Sequence, residues 1–391
     1  MKKLLSLVLV LAFVFCLFGC GGDEGFKVGL ICLHDESSTY DKNFIDSMYR
    51  ALEELGLEKT QLELVTGIPE QAECYDKASE LAKTCDIVFA DSFGHEPFII
   101  QAAEENKDVW FCHSTGTRAH TEGLDNYFNA FASIYEGRYL AGVAAGMKLN
   151  EMIENGDITA EQAVIGYVGA FPYAEVKSGY TSFFLGARSI CPSVTMKVKF
   201  TGSWYDFDLE KTTAEALIKN ENCVLISQHA DSYGAPNACE TAGVPNVSYN
   251  GTTAAQCPET YIVSSKIDWT PYYVKMIKAK MNGEEVKESD YTGNLETGSV
   301  KLDAVGKNAA AGTQEKIDEV KAQLQAGTLH VFDTNTFTVK GQKLESYLAD
   351  VDDMGDFKGE TEVVKDGYFH ESEYRSAPYF DIEIDGITLL Q

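Results

Sequence analysis

"KVGLICL", residues 27–33, is an apolar run with a lysine before it and the polar "HDESSTYD" (34–41) after it. An apolar run this short, bounded by turn-forming residues, reads as a buried strand rather than a helix. Residues 41–56 then carry apolar side chains at helical spacing, and 70–84 sets Ala72, Ala78 and Leu81 among charges. "DIVFA" (86–90), an amphipathic stretch over 96–105 and "DVWFC" (108–112) continue the alternation. Unbroken apolar strands separated by helices predict βαβ units on a parallel sheet. The rhythm restarts with "AVIGYVG" (163–169), a helical 174–190, "TMKVKF" (195–200), 209–220, "CVLISQ" (223–228), 234–243 and "VPNVSYN" (244–250).

Two similar α/β lobes are therefore expected. Lobe 1 spans 27–150 and ends in the helical "SIYEGRYLAGVAAGMKL" (133–149). Lobe 2 spans 160–252, beyond the polar connector marked by Gly156. The strand and helix near 260–284 are expected to return to lobe 1, and 285–330 to lobe 2. Residues 331–391, richer in charge and turns, read as an extension packed on the lobes. No short-period repeat or low-complexity tract is present.

At the start of the chain, Lys2 and Lys3 precede the apolar Leu4–Phe18, the layout of a secretory signal over 1–19 and short for a membrane span. "CLFGCGG" (16–22) resembles a bacterial lipobox, which predicts acylation of Cys20 and a lipidated linker over 20–26; a plain secreted chain, or an uncleaved anchor with an incidental cysteine, is the alternative. A 45% hydrophobic content argues for folded domains, and 60 acidic against 32 basic residues give a formal charge of -28. That charge opposes binding to nucleic acid or to an anionic membrane surface, leaving tethering to the lipid.

Eight cysteines follow Cys20, at 32, 74, 85, 112, 191, 223, 239 and 257. Cys32 and Cys112 lie in strand-like runs and are expected as buried thiols. Cys74 with Cys85, and Cys239 with Cys257, are candidate disulfides. No CxxC pair, GxxxxGK[ST], GxGxxG after the first strand, HExxH or GxSxG occurs, which removes the usual signatures of zinc, nucleotide and hydrolase sites. No cofactor and no metal are expected.

What remains is a series of aromatic and polar loops after the carboxyl ends of predicted strands, where open α/β sheets place their ligands. They include "HDESSTYDKNF" with Tyr40, "ADSFGHEPF" with Ser92 and Phe93, "GAFPYAEV" with Phe171, and "TGSWYDFDLEK", "SQHADSYG" and "SYNGTT". Such loops suit a flat heteroaromatic ring stacked between side chains and held by hydrogen bonds.

The stretches "YDKNFIDSMYRAL", "NYFNAFASIYEGRYLAGVAAG", "GYVGAFPYAEVKSGYTSFFLGARS", "GSWYDFDLEKTTAEALI", "ISQHADSYG" and "VSSKIDWTPYY" resemble the basic-membrane-protein, or PnrA-like, family of substrate-binding lipoproteins over about residues 27–300. The resemblance implies a class I periplasmic-binding-protein fold, two αβα lobes joined by a multi-crossover hinge with the ligand in the cleft between them. It also implies a purine nucleoside or nucleobase ligand and partnership with an ABC permease and ATPase. The family's first-loop pattern is matched by Asp41 and Phe44, with Ile45 where asparagine is usual. The loop "DSFG" supplies Asp91, Ser92 and Phe93. The family acid that holds ribose hydroxyls is replaced by Asn250, and the family lysine is matched by Lys266. Trp204 and Asp231 fit a subgroup for which a free base such as adenine is the implied ligand, and Phe44 with Trp204 is expected to sandwich that base.

Three classes of function follow: a monomeric capture protein without catalysis, a nucleoside-hydrolysing enzyme on the same fold, and a ligand-sensing lipoprotein that does not transport.

Overall fold

The computed structural model describes residues 25–352 and 358–391. The signal, Cys20 and the linker to residue 24 lie outside the described residues. The first sheet is built from β1 (Val28–Ile31), β2 (Leu62–Val65), β3 (Ile87–Ala90), β4 (Trp110–Ser114) and β5 (Tyr127–Ala132), alternating with α1 (Thr39–Leu55), α2 (Ala72–Leu81), α3 (Glu96–Glu105) and the short α4 (Ala119–Glu122). The second repeats the plan with β6 (Val164–Gly169), β7 (Thr195–Phe200), β8 (Leu225–His229), β9 (Asn246–Tyr249) and β10 (Tyr261–Ile267). Between the sheets in sequence runs α5 (Ile134–Glu154), and α6 (Ala174–Ile190), α7 (Phe207–Lys219) and α8 (Gly234–Ala242) separate the strands of the second.

Beyond β10 come α9 (Thr270–Asn282), β11 (Asp290–Gly293), β12 (Val300–Leu302) and α10 (Thr313–Gln325). The extension holds two short antiparallel pairs, β13 (Leu348–Ala349) with β14 (Thr361–Glu362) and β15 (Val364–Lys365) with β16 (Tyr368–Phe369), and then β17 (Ile387–Leu389).

Strand order is β11-β5-β4-β3-β1-β2 in one sheet and β12-β10-β9-β8-β6-β7-β17 in the other. The recurring 2-1-3-4-5 winding puts a switch point between β1 and β3, and its equivalent between β6 and β8, at the carboxyl ends that face the cleft. Within these two sheets the pairings among the described residues are parallel except that of β10 with β12. The two-lobed α/β architecture is the one expected.

Local sequence explains the element that delivers the first cleft loop. Ser38 Oγ accepts from the Asp41 N–H at 3.1 Å and caps α1, while Gly56 ends it in the left-handed conformation at φ 70°. Phe44, Ile45, Met48, Ala51 and Leu52 form its buried stripe.

The lobe boundaries differ from those read in the sequence. Helix α5 belongs to the second lobe: a Cβ on Gly142 would lie 2.0 Å from the Phe183 carbonyl oxygen, and one on Gly186 2.0 Å from that of Tyr139. Glycine at both positions lets α5 and α6 meet backbone to backbone, which fixes α5 to the second sheet rather than the first. β10 also joins the second sheet, so of the segment 260–284 only α9 reaches the first lobe, where Tyr273 meets Phe89 edge-on at 4.8 Å. The segment 285–330 divides likewise: β11 extends the first sheet and β12 the second. Among the described residues the chain thus crosses between lobes after β5, after β10 and after β11. All eight cysteines from Cys32 to Cys257 are buried and unpaired, so the two candidate disulfides are not formed; desolvation pushes the Cys32 thiol well up.

The extension touches both lobes. The Ser376 N–H donates to Asp290 Oδ2 at 2.6 Å on the first, while Lys177 pairs with Asp381 at 2.6 Å and β17 pairs with β7 on the second.

Candidate functional site

Loops from the two sheets converge on a cleft with about 390 Å3 of space free of protein atoms. The first lobe contributes Leu33, His34 and Tyr40 after β1, Ser92 and Phe93 after β3, and Thr115 after β4. The second contributes Glu175 from the first turn of α6, Trp204 after β7, His229 and Asp231 at the end of β8, and Asn250 after β9. The lobes meet directly here: the Thr39 N–H and hydroxyl both donate to the Asp231 carbonyl at 3.0 Å.

Asp41 is buried below the lining, where its Oδ1 accepts the His34 N–H at 2.7 Å. Burial pushes its carboxyl up, but hydrogen bonds from His34 and Ser38 prevail and leave it lowered. Asp91 and Asp231 are driven the other way, well above the usual carboxylate range, by burial first and then by the charge of Asp41. Asn250 Nδ2 lies 3.4 Å from Asp231 Oδ1, and Tyr40 donates its hydroxyl to the Asp91 carbonyl at 2.6 Å. His229 Nε2 sits 3.3 Å from Glu175 Oε1; burial lowers the imidazole pKa against the pull of that carboxylate.

Among the described residues the lining carries two carboxyl groups and no lysine or arginine, which disfavours anionic ligands. Its neutral amide and the Asp231 carboxyl, held toward the neutral form, offer both donors and acceptors to a polar ring. Over the rim stands an aromatic group in which Phe171 stacks on Tyr173 at 5.3 Å and meets Trp204 edge-on at 5.2 Å.

Of the residues singled out in the sequence, Tyr40, Ser92, Phe93, Trp204, Asp231 and Asn250 come together in the lining. Phe171 stands in the rim and Asp41 lies beneath. Two do not reach the cleft. Phe44 is fully buried and stacked on Trp269 at 4.3 Å, because it faces the core side of α1, so a sandwich with Trp204 is not formed. Lys266 is paired with Asp303, which is held at the β10–β12 pairing. His34, Thr115, Glu175 and His229 were not singled out. His34 and Thr115 follow strands, His229 ends one and Glu175 lies in the first turn of α6, and strand alternation in "LISQH" alone would have turned His229 toward one face.

Two wound sheets, a crossing hinge and a cleft between facing strand ends define a two-lobed solute-binding protein of the class I periplasmic type. The chain belongs to the Bmp family, described as ABC transporter substrate-binding protein PnrA-like, whose model matches residues 28–330. Solved structures of the same fold include ABC transporter solute-binding proteins from Conexibacter woesei (TM-score 0.63, 19% identity, covering 78% of this chain and 98% of that one) and Aeropyrum pernix (TM-score 0.66, 16% identity, 78% and 93%). A purine-binding protein of Brucella abortus is 27% identical over 350 residues, 85% of this chain and 94% of the relative. A putative ABC transporter glucose-binding protein of Haloferax volcanii is 33% identical over 252 residues, 64% of this chain and 60% of the relative's length.

Proposed function

We propose that this protein is an extracytoplasmic lipoprotein that captures a purine base or nucleoside for an ABC importer, without catalysis of its own. The observation that carries this is the cleft lining: an indole and a phenyl ring from opposite lobes, together with two carboxyls, an amide and hydroxyls and, among the described residues, no lysine or arginine. The name of the Brucella relative supports a purine. The name of the Haloferax relative favours a sugar as the second reading, so glucose belongs in the same test.

The expected preference is for the base. Charge-assisted bonds to ribose hydroxyls are roughly twice as strong as neutral ones. Here the position that carries the family acid is the amide Asn250, and its neighbour Asp231 is pushed toward the neutral form. Adenine should therefore bind within about tenfold of adenosine, a gap of at most ~1.4 kcal/mol. Calorimetric titration with adenine, adenosine and glucose tests both readings. A nucleoside preference of a hundredfold would show an intact ribose site, and binding of glucose alone would overturn the purine.

Anchoring is testable separately. Cys20→Ala is expected to yield protein released to the medium or held as uncut precursor, since acylation and processing share that thiol. Membrane-bound protein of mature size would overturn the lipobox reading.

A further inference from the structure

Beside the cleft lies a larger chamber with about 1050 Å3 of space free of protein atoms. Phe93, Thr115 and Glu175 line both, so the two spaces adjoin across these residues. The outer wall of the chamber includes Tyr347, Leu348, Asp350, Arg375, Tyr379 and Asp381, all beyond residue 330, where the family match ends. We propose that this chamber is a second compartment of the ligand site, and that the ligand of this chain carries, beyond its ring, a neutral hydroxyl-rich substituent larger than one ribose. The inference rests on the purine reading above.

Size is the first argument. The inner cleft holds about 390 Å3 of space free of protein atoms against about 1050 Å3 in the chamber, open solvent included in both, so the chamber is the roomier of the two. Chemistry is the second. Tyr173 and Tyr347 offer ring faces for the apolar faces of sugars, and Glu175 and Asp381 offer acceptors for hydroxyls. Phe93 and Tyr173, from opposite lobes and 5.9 Å apart, remain 38% and 47% exposed at the junction, an apolar surface that a ligand passing between compartments would cover.

A phosphate-bearing substituent fits poorly. Arg375 is the cation in the chamber lining among the described residues; its Nε and Nη2 donate to the carbonyls of Ala377 at 3.3 Å and Pro378 at 3.5 Å, its Nη1 is buried without a partner, and Glu175, Asp350 and Asp381 line the same space. Lys177 nearby is held by Asp381. Carboxylates therefore dominate the field that an anion would meet.

The test is calorimetric titration of the full chain with adenine, adenosine, adenosine 5′-monophosphate and adenosine bearing a second ribose on its 5′ oxygen. The two-sugar compound is expected to bind at least tenfold tighter than adenosine, and the monophosphate no tighter than adenosine. Leu348→Trp fills the chamber from a position 55% exposed, so folding should survive, with an unchanged melt as the control. It should remove the tenfold gain while leaving adenine affinity unchanged. Asp381→Asn, which keeps the shape, should reduce the gain several-fold. A two-sugar compound no tighter than adenosine, a gain that persists in both variants, or a stronger gain from the monophosphate would overturn the chamber assignment while adenine still binds. Failure of adenine itself to bind would overturn the purine reading, and this inference with it.

Discussion

Replacing Phe44 by alanine is expected to lower folding stability by about 3–5 kcal/mol, the cost of deleting a buried aromatic ring and leaving a cavity. The ring is fully buried, stacked on Trp269 at 4.3 Å with 21° between planes and tilted against Tyr40 at 4.8 Å, so it ties α1 to the start of α9. Trp204→Ala should behave in the opposite way. Trp204 is only partly buried and lines the cleft, so its loss should leave the denaturation midpoint nearly unchanged and weaken base binding by about 1–3 kcal/mol, as for bases stacked on aromatic side chains elsewhere. Urea denaturation and calorimetry on both variants separate the roles. A Phe44→Ala protein of normal midpoint and weakened binding would return Phe44 to the ligand.

Arg138→Ala is expected to cost on the order of 3–5 kcal/mol, from several stranded polar groups at about 1–3 kcal/mol each. This guanidinium is fully buried on α5 and donates to the Tyr167 hydroxyl at 2.8 Å, to Ser227 Oγ at 3.0 Å and to Ser265 Oγ at 3.3 Å. It also reaches the carbonyls of Gln228 and Ser248 at 3.3 and 3.5 Å, and the rings of Tyr167, Phe183 and Tyr249 surround it. One side chain thereby fastens α5 across β6, β8, β9 and β10. Lysine should not rescue it, because a single ammonium cannot span a planar fork of donors. Burying a cation among neutral groups is itself costly. If that penalty prevails, Arg138→Ala will melt within about 1 kcal/mol of the parent, and the fastening role is wrong.

The strands were legible because parallel strands buried on both faces leave continuous apolar runs, as "VGLI" and "IVFA" show. The lobe to which α5 belongs was not. Its sequence is apolar nearly all round, so periodicity marks it as buried without saying against which sheet. That choice is made by Gly142 against the Phe183 carbonyl, by Gly186 against the Tyr139 carbonyl and by Arg138, contacts between residues far apart in the chain. The same limit applies to the site. Loops after strand ends pointed to Tyr40, Trp204, Asp231 and Asn250, but which face of α1 carries Phe44 is decided by α9, and Lys266 is neutralised by Asp303.

The pairing of β17 with β7 sets a temporal order on the second lobe. β7 can pair with β6 as soon as residues 164–200 are made, but its other edge stays bare until 387–389 arrive. Closing so long a loop is slow, and an uncovered strand edge is a template for pairing with another chain. During biogenesis this edge is the seam along which immature molecules would stick to one another, and the late strand is what seals it.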